Sequence, residues 1–180
     1  MAIDPAISVA LGFSLGLLFA ASAAHKALGL REFEGVLRNY RVLPSIAVPA
    51  AVISIIAFEA ATALLVLLPS TRAAGALAAA AILLVYAAAI AVNIMRGRTE
   101  IDCGCSFGTP ADRLSSGLLA RNGVLIAAAL VAAAPAAQRP LTAPDFMAIA
   151  LFVPTAAAFY LSFEAIRANA ARFHLAGHAR

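Results

Sequence analysis

The chain has 180 residues, 63% of them hydrophobic and 12% charged, and its mean hydropathy is +0.94. An ordinary soluble domain carries about 45–50% apolar and roughly 25% charged residues, so a water-soluble fold is excluded. The net charge of +4 then bears on membrane topology rather than nucleic acid, for which no binding motif is present.

Five apolar stretches follow in chain order, each near the roughly 20 residues that a spanning helix needs. The first, residues 6–24, contains no charge and ends at His25-Lys26. Ala21-Ser22-Ala23 imitates a signal-peptidase site, but Met1-Ala2-Ile3-Asp4 lacks a positive n-region, so the stretch is read as a retained span. Residues 45–68 form the second, with the single charge Glu59. The third, 73–95, is uncharged and carries Tyr86 and Asn93; the fourth, 117–134, has Arg121-Asn122 near its start; the fifth, 146–163, has Pro154 at its middle. Barrel strands alternate in polarity, and these stretches do not. The expected fold is therefore all-α: one transmembrane domain over 1–180, a polytopic helical bundle of four core spans plus a fifth. Its many Ala, Gly and Ser residues suit close helix contact in lipid.

Between the first two spans, Phe33, Val36, Leu37 and Tyr40 recur at helical spacing among Arg31, Glu32, Glu34 and Arg38. This pattern predicts a short amphipathic helix in the headgroup region. Five spans place the larger connections on one face, with Lys26, Arg31, Arg38, Arg41, Arg96, Arg98, Arg113 and Arg167 among its basic residues. The other face has Arg72 and Arg139. By the positive-inside rule the larger face is cytoplasmic.

That face also carries both cysteines, in Asp102-Cys103-Gly104-Cys105. With one glycine between them the two residues can approach within disulfide distance if the backbone folds sharply. Small, strained, accessible disulfides are labile and oxidising, which suits thiol–disulfide exchange. Two other readings stay open: a soft-metal site for copper or zinc using Cys103, Cys105 and His25, and a pair of inert thiols. His25, Lys26, Asn93, Arg121 and Asn122 all fall within about two turns of the same face. Cations there would lower a thiol pKa. Glu59 falls about 20 Å deeper, where a charge is expensive. Lys26 is expected to be too shallow to pair with it, and Tyr86, at about 15 Å, is the expected hydrogen-bond partner. Glu59 is then either a proton-handling or quinone-pocket residue, or a packing residue.

Taken together, Ala24-His25-Lys26, Phe33, Tyr40-Arg41-Val42-Leu43-Pro44, Glu59, Asn93, Arg96-Gly97-Arg98, Asp102-Cys103-Gly104-Cys105 and Arg121-Asn122 resemble the MauE (methylamine utilisation) family, related to the DoxX-like membrane proteins. The resemblance runs from about Leu11 to Val124. It implies a multi-pass protein of the bacterial inner membrane that assists maturation of the methylamine dehydrogenase small subunit, a disulfide-rich periplasmic client, together with a thioredoxin-fold partner. Cys103 and Cys105 are then the catalytic pair. Helical membrane redox proteins of comparable role carry their cysteines on the periplasmic side, opposite to the side that the charge count assigns. Ser106, directly after Cys105, departs from the family pattern.

Overall fold

A computed structural model describes residues 2–101 and 114–177. Its helices are α1 (Pro5–Leu28), α2 (Leu30–Tyr40), α3 (Val48–Leu67, preceded by a 3-10 turn, Ser45–Ala47), α4 (Arg72–Met95), α5 (Ser116–Ala133) and α6 (Ala143–Gly177). Five of them, all but α2, are long and apolar enough to cross a membrane. The expected all-helical bundle is what the structure shows. The fifth apolar stretch lies within the longer helix α6, which runs past Phe163 to Gly177 and whose added turns contain Glu164 and Arg167.

Small side chains let the spans touch. Gly75 of α4 lies so close to α3 that a Cβ there would stand 2.4 Å from the Val66 amide nitrogen and 2.6 Å from the Leu65 carbonyl carbon. Only glycine permits this backbone-to-backbone contact. Around it Ala63, Ala76, Ala79, Ala129 and Ala132 pack with Leu15, Phe19, Val66 and Leu83 into the main core. Ile53, Phe58, Leu64, Leu77, Leu84 and Val124 point outward, as lipid-facing residues do. α6 is the outermost span; its apolar window is unburied, and it packs chiefly on α1.

The two ends of the bundle are built differently. At the end where α1 begins, Asp4 caps the helix by accepting from the Ala6 amide at 2.9 Å, with Pro5 at the first helical position. Arg139, from the α5–α6 connection, reaches Asp4 at 2.8 Å and Asp145 at 2.7 Å. At the opposite end α2 turns away from α1 at Gly29, whose amide donates to the His25 carbonyl at 3.0 Å. The face of α2 toward the bundle holds Phe33, Val36, Leu37 and the buried Tyr40, while Arg31, Glu32 and Arg38 are exposed, as the periodicity predicts. Tyr40 packs with Ile90, Leu114 and Leu118 in a second, smaller core at this end.

Candidate functional site

The residues of α1 near Gly12 and Gly16 pack against the end of α3 and the start of α4. A Cβ on Gly16 would meet the Leu67 side chain at 2.7 Å, and one on Gly12 would meet Arg72 at 3.1 Å. The middle of α1 is therefore level with the end of α3. Ten residues on from Gly16 brings the chain to Lys26, about 15 Å along, and eight residues back from Leu67 brings it to Glu59, about 12 Å along at the same rise. The remaining ~3 Å is covered by the lean of helical side chains toward the N-terminus.

Lys26 and Glu59 are consequently in direct contact. Lys26 Nζ lies 2.7 Å from Oε1 and 2.9 Å from Oε2 of Glu59, and the side chains are 2% and 1% exposed. The expectation that Lys26 is too shallow for Glu59 is corrected. It equated the end of the apolar stretch with the membrane surface, whereas α1 continues to Leu28 and is displaced along α3. Ser22 donates to Glu59 Oε1 at 3.0 Å and Tyr86 donates to the same oxygen at 2.7 Å. The hydrogen bond expected between Tyr86 and Glu59 is thus present. The Phe33 ring of α2 and the Tyr86 ring lie 5.3 and 5.5 Å from the ammonium, within cation–π range. An ion pair this far from water survives only when its remaining lone pairs and protons find partners; Ser22 and Tyr86 supply them at Oε1.

A second buried pair joins α5 to α6. Arg121 Nη1 donates to Glu164 Oε1 at 2.9 Å and to the Tyr160 hydroxyl at 3.3 Å. Arg167 approaches the same carboxylate at 3.3 Å. Sequence reasoning missed Glu164, Tyr160 and Ser22. Glu164 stands just beyond the fifth apolar stretch, and the signal was Arg121 itself, since a guanidinium within a span calls for a counter-charge. Ser22 was findable as the residue one helical turn from Lys26 on the same face.

One member of each pair, Glu59 and Arg121, borders a small cavity of about 30 Å³, lined also by Ser22, Tyr86, Asn122 and Tyr160 with Leu18, Phe19, Leu83 and Leu125. Of the residues expected in one polar pocket, the structure brings Arg121 and Asn122 to this cavity and Lys26 to its edge through Glu59. It does not bring the other two. His25 is exposed on α1. Asn93 is fully buried seven residues beyond Tyr86, with Nδ2 on the Ala89 carbonyl at 3.0 Å. Cys103 and Cys105 lie outside the described residues, but their flanks are held together: the Leu114 amide donates to the Thr99 carbonyl at 3.0 Å, and Arg98 donates to the Asn39 carbonyl of α2 at 2.8 Å.

Apolar spans joined by charges that pair inside the bundle define a multi-pass helical membrane protein. The chain belongs to the MauE family: the family model described as methylamine utilisation protein MauE matches residues 4–135, from α1 to the end of α5. Among curated relatives, the methylamine utilization protein MauE of Paracoccus denitrificans is 44% identical over 131 residues, covering 73% of this chain and 70% of the relative. Its counterpart in Paracoccus versutus is 47% identical over 137 residues, covering 75% and 74%, and that of Methylorubrum extorquens 36% over 140 residues, covering 74% and 75%. No solved structure matches the chain significantly.

Proposed function

We propose that this protein is an accessory factor of methylamine utilisation in the bacterial inner membrane, which assists disulfide formation in a periplasmic client such as the methylamine dehydrogenase small subunit. The observation that carries the reading is membership of the MauE family over a match, residues 4–135, that includes both cysteines. In this reading Cys103–Cys105, as a disulfide, is attacked by a client thiolate. A mixed disulfide forms as the Cys103–Cys105 bond breaks, and a second client thiolate then resolves it. The client gains the disulfide and Cys103 and Cys105 leave as thiols. A thioredoxin-fold partner exchanges with the pair in the same way.

The two ion pairs have a structural role in this reading. Lys26 and Arg121 each direct their charge at a carboxylate, so in this reading they act chiefly by holding α1, α3, α5 and α6 in place. A periplasmic client requires that connection to face the periplasm, against the charge count. Part of the count falls away, because Lys26 is buried in α1 against Glu59 rather than in a loop, where the rule applies.

The test is thiol labelling of intact cells with a membrane-impermeant maleimide, combined with trapping of mixed disulfides in Cys103→Ser and Cys105→Ser variants. Labelling from outside and a trapped client are expected. Full client maturation in the double serine variant would overturn the exchange role, and stoichiometric copper or zinc lost in that variant would reassign the cysteines to metal binding.

A further inference from the structure

Asn122 is fully buried on α5. Its Oδ1 accepts from Arg121 Nη2 at 3.5 Å, yet its Nδ2 has no hydrogen-bond partner among the described residues. A buried amide left so carries its full desolvation cost, and native interiors seldom leave such a group without a protein or water partner. Asn122 lines the 30 Å³ cavity, and Glu59 lines it too. Oε2 of Glu59 accepts from Lys26 at 2.9 Å and keeps lone-pair capacity for a further donor.

Whatever occupies the cavity must accept a hydrogen bond from an amide and donate one to a carboxylate. It must also be very small. A water molecule needs about 10–15 Å³ of such space and two to four polar partners, so the cavity has room for two. We propose that this cavity is a structural water site at the centre of the bundle, in which one or two water molecules accept from Asn122 Nδ2 and donate to Glu59. The water joins the Lys26–Glu59 pair to the Arg121–Glu164 pair and gives a carboxylate in mid-bundle a contact that exchanges protons. The inference does not depend on the function of the cysteines.

Three measurements on the full chain in lipid nanodiscs test it. A structure resolving ordered solvent is expected to show density within hydrogen-bond distance of Asn122 Nδ2; an empty cavity overturns the proposal. Under xenon pressure the cavity is expected to take up no xenon, because xenon enters dry apolar voids; xenon at this position overturns it. Asn122→Leu removes the amide and the water together. A melting temperature lowered by a few degrees is expected, whereas an unchanged or higher one is the result for a dry site and overturns it. The first two readings use the unsubstituted protein, so a poorly folding variant does not remove the test.

Discussion

Lys26 and Glu59 are 33 residues apart in the chain and 2.7 Å apart in the structure. The pair links α1 to α3 at a depth where neither charge meets bulk water. Removing one partner of a buried pair leaves the other uncompensated, at about 3–5 kcal/mol, whereas replacing both by apolar residues is often neutral or stabilising. Lys26→Met and Glu59→Leu are each expected to lower the melting temperature in nanodiscs strongly, and the double variant to recover most of the loss. Additive losses in the double variant would show that the two residues do not act as a pair.

Glu59 accepts from Ser22, Lys26 and Tyr86, so Tyr86→Phe removes one of several donors to a charged group, worth about 1.5–3 kcal/mol. Insertion and folding are expected to survive. Thiol trapping of Cys103 and Cys105 in cells separates the packing and proton-handling roles of Glu59. With Glu59→Gln, a packing role leaves the redox state of the pair unchanged, and a proton-handling role slows its return to the resting state.

The Arg121–Glu164 pair ties the outermost span to the bundle. Glu164→Gln is expected to loosen α6, read as faster proteolysis or faster amide hydrogen exchange in residues 143–167, with smaller effects in α3 and α4. Uniform protection across α6 in the variant would contradict the tie.

Gly75 tests the packing of α3 against α4. In Gly75→Ala the new methyl group meets the Val66 and Leu65 backbone, which cannot move aside as a side chain can, so a loss of about 1–3 kcal/mol is expected. Gly123→Ala on the exposed face of α5, where nothing lies within 4 Å of the added Cβ, is the control. It is expected to stabilise by about 0.5–1 kcal/mol, the usual difference between Gly and Ala within a helix. Equal effects at both positions would refute the close approach.

Asp4 gives the pH dependence. The Arg139 guanidinium, and then the Ala6 amide, hold its carboxyl below the ordinary value of 3.8. A lowered carboxyl pKa means that its contribution is complete above the unfolded value and is lost as pH falls through the folded one. The difference in melting temperature between the wild-type chain and Asp4→Asn is therefore expected to hold constant near neutrality and to shrink below about pH 4. A gap that widens with acid would contradict the assignment.

The number of spans, the amphipathic α2 and the hydrogen bond from Tyr86 to Glu59 were legible in the sequence, because apolar length, helical periodicity and depth along a helix are local properties of the chain. Small residues at close contacts were legible as composition, although not as Gly75 against Val66. The partners of the buried charges were not legible. Lys26 meets Glu59 because the middle of α1, at Gly16, packs level with Leu67 at the end of α3, and that relative placement is a property of two packed surfaces rather than of either stretch. Arg121 meets Glu164 because α6 brings the first residue past its apolar stretch level with the start of α5. Chain order thus determined which residues are buried in the membrane, and the helix register, set by steric fit between spans, decided which of them touch.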